Sequence, residues 1–238
     1  MNWRLWVYLQ TTPLFWLTAT LAAYLLADAL SKAARRHPLV NPVLIAVALI
    51  AVLLKLSGTA YKTYFDGAQF VHFLLGPATV ALGVPLYKNF GLVRRNLLPM
   101  AAALLAGALV AIVSAVALAG LLGAPRAAQI SIAPKSVTAG VAMAVSEKLG
   151  GLPPLTAVLV ILTGIIGAVI VTPLMNALRI RDYAARGFAA GLAAHGIGTA
   201  RAFNVDPVAG VFAGVAMGLN AVVTPAIIPL LLPWLAGS

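Results

Sequence analysis

Two short stretches hold the side chains whose types and spacing suit chemistry. The first begins Ser131-Ile-Ala-Pro-Lys-Ser-Val-Thr138 and runs to Gly151, with a proline, two lysines, a glutamate and four hydroxyls. The second is Gly191-Leu-Ala-Ala-His-Gly-Ile-Gly-Thr-Ala-Arg-Ala-Phe203. Both are flanked by long apolar runs. The chemistry they suggest is capture of a small anion. Pro134 lacks a backbone donor and breaks a helix. The helix that resumes after it offers free N–H groups and a partial positive charge. Lys135 beside that terminus adds a full charge, with Ser136 next to it. At about 100° per residue, Lys135, Thr138, Ala139, Ala142 and Ser146 fall on one small, polar face. The alternative for Lys135, and also for Lys148, is a snorkelling lysine that marks a helix end.

In the second stretch His195 and Thr199 share a face at i,i+4 spacing. Arg201 points roughly 120° away on a continuous helix. The three converge only if Gly196 and Gly198 break it, as glycine permits. Arginine is the natural bidentate partner of a carboxylate. A lone histidine in an apolar helix has the alternative of a packing role. His195 and Glu147 are the candidates for proton coupling. A charge at the bilayer centre costs about 2.5–3.5 kcal/mol, so a deep Glu147 would be functional, whereas one at the boundary would pair with Lys148 or do nothing in particular. Thr79 and His72 are further lining candidates, with packing as the alternative. Asn220 is a weak one. Asp66 reads as a helix-start residue, and Gly210, Gly214 and Gly218 as a packing ridge.

Other chemistries find no support. The chain has no cysteine, three histidines and five acids, all scattered. That leaves no metal cluster, thiol chemistry or Ser-His-acid set with local support, and no nucleotide-binding loop of the Walker type is present. The chain reads as a non-enzyme that needs no cofactor. The net charge of +11 sits in short loops, which argues against nucleic acid.

The elements that must position these residues follow from composition. The 238 residues are 62% hydrophobic and 9% charged, against about 25% charged in soluble domains. Lipid must be the solvent, and the apolar runs are too long for barrel strands of about 10 residues. The expected fold is all-α, a polytopic membrane protein with about six full transmembrane helices and two broken or re-entrant segments. The full spans are expected at Leu14–Leu30, Leu39–Leu56, Ala68–Tyr87 (broken at Gly76-Pro77), Leu97–Leu122, Leu155–Leu178 and Val208–Leu232. Ser57–Asp66 is expected to be a short connection. Leu14–Leu30 exceeds a signal-peptide core and reads as a retained helix. Trp3, Trp6, Tyr8 and Trp16 read as an interfacial aromatic belt.

Loops 31–37, 88–95 and 179–186 are basic and therefore expected on the cytoplasmic side. That requires an odd number of crossings between 126 and 179, so 131–150 should enter and leave on one side. The pair Val171-Thr-Pro and Val223-Thr-Pro ends two similar units, 131–178 and 187–232, each a broken helix followed by a full span. Pro77–Val84 and Pro134–Val141 also match each other. Opposed units of this kind form an inverted-topology repeat around a midplane site.

Three ordered motifs, Leu75–Tyr87, Ser131–Thr138 and Ala194–Arg201, resemble the LrgB/CidB family over most of the chain, as a single LrgB-like transmembrane domain spanning 1–238. The resemblance implies a multi-pass protein of the bacterial cytoplasmic membrane. It also implies a partner, a small LrgA/CidA-type membrane protein. The family includes antiholin-like murein-hydrolase regulators, the plastidial glycolate/glycerate translocator and relatives linked to pyruvate uptake. Two functions are therefore expected. One is secondary transport of a small carboxylate, held by Lys135, Ser136 and Thr138 on one side and by His195, Thr199 and Arg201 on the other. The other is holin- or antiholin-like regulation through homo-oligomerisation.

Overall fold

A computed structural model of the chain describes residues 12–37, 40–74, 77, 80–81 and 83–235. Every regular element among them is an α-helix. Among the described residues, four helices are long and apolar enough to cross a membrane: Pro13–Ala33 (α1), Leu97–Leu121 (α6), Pro153–Ala177 (α9) and Pro207–Leu235 (α11). Pro42–Ser57 (α2) has 16 residues and is a shorter apolar helix. The all-α membrane fold is as expected, but the described residues do not carry the count of six full spans. Across the expected span 68–87, helices Tyr61–Phe73 (α3) and Gly83–Lys88 (α4) flank residues that mostly lie outside the described set. The Pro77–Val84 match falls largely there too. The basic stretch at 88–95 is itself helical, as Phe90–Arg95 (α5).

The chain divides into two compact units, Met1–Gly83 and Val84–Ser238. In the first, α1 packs on α2 and α3. Asn41 starts α2 by accepting from the Val43 and Leu44 amides at 2.8 and 3.2 Å, which satisfies two of a helix's orphan donors. Trp16 is fully buried (0% exposed), with its ring edge-on to Tyr64. A side chain at Gly67 would strike the Pro13 carbonyl, so α1 and α3 cross at a glycine. Trp16 is thus a packing residue in place of the expected belt member. Asp66 lies inside α3 instead of at its start.

The second unit is built around α9 and α11. Arg126–Ile132 (α7) is a short helix that ends before buried Pro134. Turns follow, with Lys135 N donating to Ile132 O and Val137 N to Pro134 O. Ala139–Lys148 (α8) then runs back. The return is fixed by Ser131, whose hydroxyl donates to Ala127 O at 2.6 Å and accepts from Leu152 N at 2.7 Å. Thr156 of α9 donates to Ser146 of α8 at 2.7 Å. Residues 131, 146, 152 and 156 therefore sit at one level. The segment α7–α8 is a hairpin that enters and leaves on the same side, and α9 starts where it ends.

Tyr183–Val205 (α10) is a second hairpin. Asp182 caps its start by accepting from Ala185 N at 2.8 Å. The backbone leaves helical geometry at Ala194 and at His195, where φ is 40° and ψ −133°. A side chain at Gly198 would strike the Ala190 carbonyl. Eight residues of straight helix span about 12 Å, so this contact requires the chain to reverse. Ala190, Ala202, Ala209 and Ala213 pack as one cluster at its base. Asp206 then starts α11 by accepting from Val208 N and Ala209 N at 2.8 and 3.2 Å.

The hairpins enter from opposite ends of α9. The first begins level with Thr156, near the start of α9. The second begins beyond Ala177, and its turn reaches Gly164 and Gly167 at the middle of α9. Side chains at Gly187 and Gly191 would strike the Ala209 and Ala213 carbonyls, so the first arm of α10 lies almost directly on α11. The expected ridge on α11 holds in part. A side chain at Gly210 would strike the Phe203 ring of α10, whereas nothing stands within 4 Å of one placed at Gly218. The backbone-to-backbone approach is made by Gly187 and Gly191 of α10.

Candidate site at the two hairpin turns

Asn220 lies near the centre of the 29-residue α11 and is 1% exposed. Its side-chain amide donates to Ser136 O at 3.3 Å and to Leu192 O at 3.1 Å. Its own oxygen accepts from Thr224 at 2.6 Å. One buried side chain thus binds the turn of the first hairpin and the turn of the second. Each buried group left unpaired costs about 1–3 kcal/mol, so the arrangement holds both turns at mid-depth.

Lys135 faces a groove of about 450 Å³ between α9 and the first arm of α10. Thr163 is the other polar side chain along it. The remaining walls are aliphatic or small, among them Ile166, Gly167, Ile170, Ala193 and Ala194. Lys135 Nζ is 3.4 Å from Ser136 Oγ, a weak contact that leaves most of the ammonium's donor capacity for other acceptors. Ser136 is buried. A separate groove of about 440 Å³ between α6 and α10 is lined by Met100, Phe188, Leu192 and Phe212, with Asn96 and Asp182 also along it. It offers an anion no cation.

His195 is buried at the second turn, with Nε2 3.0 Å from Val160 O. A carbonyl only accepts, so Nε2 carries the hydrogen. The positive φ of His195 is unusual for a non-glycine residue, and such strain gathers at functional sites. The sequence pointed to Gly196 and Gly198 as the break, yet it falls on the histidine itself. Gly198 serves the close approach of the two arms. Thr199 is buried one turn on, its hydroxyl spent on His195 O at 2.8 Å.

Several expected site residues are not at the turns. Arg201 lies six residues past His195, about 9 Å along the arm, and reaches Thr172 of α9 at 3.5 Å. The break sends it away from Lys135. Thr138 is half-buried and stands before α8 without capping it. The helix resumes only at Ala139, so Lys135 and Thr138 do not continue the face of α8, and Ser146 is engaged with Thr156 instead. Glu147 and Lys148 are exposed at the far end of α8. Thr79 lies outside the described residues, and the side chain of His72 is likewise outside them. No group of three or more potential metal ligands occurs among the described residues.

The Asn220 bridge was barely foreseen. Its sequence signal was the Asn220–Thr224 pair, i,i+4 within an otherwise apolar helix. Arg186 and Thr172 were missed as well, since each looked ordinary in a basic loop and a span.

A model of the LrgB-like family matches residues 20–234. The chain belongs to the LrgB-like family. The YwbG protein of Bacillus subtilis (strain 168) is 37% identical over 206 residues, covering 86% of this chain and 92% of its own length. A protein of Staphylococcus epidermidis named holin-like protein CidB is 32% identical over 196 residues, 82% of this chain and 86% of its own length. One of Bacillus mycoides named antiholin-like protein LrgB is 29% identical over 224 residues, 94% and 97%. No solved structure matches. Bacterial LrgB-like relatives and several long apolar helices make this a multi-pass bacterial membrane protein.

Proposed function

We propose that this LrgB-like chain is a secondary transporter of small monocarboxylates of the glycolate, glycerate or pyruvate class. The observation that carries the reading is Asn220, which ties the turns of two oppositely entering hairpins at mid-depth. Discontinuous helices meeting there are how transporters built on inverted repeats place substrate sites. On this reading 131–178 and 187–232 are the repeat units. α8 and the second arm of α10 both direct their N-termini at the turns, which favours an anion. A single cation, Lys135, in a largely apolar groove suits one negative charge and a short tail. Of the two proton-coupling candidates, His195 stands at a turn and Glu147 does not.

A second reading is regulation of murein hydrolases or lysis, as an oligomer working with an LrgA/CidA-type protein. The names of the staphylococcal and bacillary relatives favour it over transport. Neither reading includes an enzymatic step. Uptake of labelled glycolate, glycerate and pyruvate into proteoliposomes, with and without an LrgA-type partner, separates them. A transporter shows saturable flux that Lys135→Gln abolishes while the protein still assembles. Lack of flux in both compositions, with hydrolase activity in cells still responding to the protein, would establish the regulatory reading instead.

A further inference from the structure

Arg201, displaced from the turn, shares a residue of α9 and a cleft with a second arginine. Arg186, on the first arm of α10, donates to Asn176 Oδ1 at 2.7 Å and to Thr172 O at 3.4 Å. Arg201, on the second arm, donates to the hydroxyl of the same Thr172 at 3.5 Å. Two cations from antiparallel arms thus converge on one residue of α9. Both line a narrow cleft with Thr172, Val171 and Ala190. Val171 and Ala190 also line the groove that holds Lys135, so cleft and groove adjoin along α9.

We propose that Arg186 and Arg201 form a second anion subsite, at the 179–186 end of the protein, which takes the carboxylate of a small monocarboxylate passing to or from Lys135. The choice of ligand rests on the transport reading; the subsite itself does not. Two like charges brought together near the membrane are offset by an anion between them. Their bonds to Thr172 are at the long limit for hydrogen bonding. A carboxylate would replace these long contacts with charge-assisted bonds about 2.7–2.9 Å long. The cleft now has a volume of about 20 Å³, room for roughly one water. An anion therefore enters as an arginine swings off Thr172, and the cleft closes behind it.

The test is labelling of the protein in nanodiscs by p-hydroxyphenylglyoxal, which modifies arginine, read residue by residue by mass spectrometry. Pyruvate at ten times its Kd leaves about a tenth of the sites empty. Arg186 and Arg201 should then label about tenfold more slowly, while Arg126 and acetamide controls do not change. The protection should persist in Lys135→Gln, because the subsite is distinct from the mid-depth one. Equal labelling with and without pyruvate overturns the proposal. So does protection that vanishes in Lys135→Gln, since it would then be remote closure. If that variant does not fold, the wild-type labelling decides alone. Absence of flux in proteoliposomes with protection intact would sink the transport reading and leave the subsite standing.

Discussion

At the residue scale, His195 is the side chain held least comfortably. Its φ of 40° costs a non-glycine residue on the order of 1–3 kcal/mol, and its bond to Val160 O returns about 0.5–1.5 kcal/mol. Both Ala and Gly lose that bond and the imidazole volume, but only glycine escapes the strain. His195→Gly should therefore be more stable than His195→Ala by about 1 kcal/mol or more, measured as thermal unfolding midpoints in one detergent. Equal midpoints would mean the turn relaxes on its own. Asn220 makes the opposite kind of demand. Asn220→Ala strands the Ser136 and Leu192 carbonyls and the Thr224 hydroxyl. It should cost about 2–4 kcal/mol, from about 1–3 kcal/mol per buried unpaired group with partial relaxation. Unfolding midpoints and protease sensitivity at the turns read this out. Sequence alone could single out Lys135, Ser136 and His195, which lie at the two turns, because polar residues in apolar runs stand out. It could not place Arg201, since a break at His195 instead of Gly196 decides which way the following arm points.

At the scale of elements, small residues set how closely helices approach. Of the glycine ladder the sequence offered at Gly210, Gly214 and Gly218, Gly210 packs against Phe203 of α10 and Gly218 meets nothing, while the closest α10–α11 approach runs through Gly187 and Gly191. Nothing in a residue's type says whether its partner is lipid or another backbone, and here the partner is the carbonyl row of Ala209 and Ala213. Gly187→Ala should force that seam apart and cost about 1–3 kcal/mol as overpacking does. Gly218→Ala meets open space and should be neutral or gain a few tenths of a kcal/mol from helix propensity. A pair of unfolding midpoints checks it, and equal losses at both positions would reassign the seam. The long helices α1, α6, α9 and α11 were legible because about 20 consecutive apolar residues admit no other structure in lipid. The region near Gly76 was not, because its composition suits a span, a break or a short surface helix alike. The Ser57–Asp66 connection failed as an expectation because packing on α1, with Tyr64 edge-on to Trp16 and Gly67 against Pro13, overrides the weak helix propensity of Tyr61–Phe73.

At the scale of the whole molecule, the issue is which ends of the segments share a side of the membrane. The charge bias of the loops demanded an odd number of crossings between 126 and 179. The hydrogen bonds of Ser131 agree with that demand: Leu152 N returns to the hydroxyl of Ser131, so 131–152 comes back to the level it left, while α9 runs on for 25 residues. The second hairpin behaves alike from the other end, with Asp206 following a reversal at His195. The chain has no cysteine, so single cysteines introduced at surface positions report sidedness without background. Ala124→Cys and Lys148→Cys flank the first hairpin, and Arg181→Cys and Asn204→Cys flank the second; Lys148, Arg181 and Asn204 are exposed. In sealed vesicles of known orientation, a membrane-impermeant maleimide should label the first pair from one side and the second pair from the other. If each hairpin were instead a crossing, the members of each pair would label from opposite sides. A split within the first pair alone would remove the mid-depth turn at Pro134, and with it the opposed arrangement on which the transport reading depends.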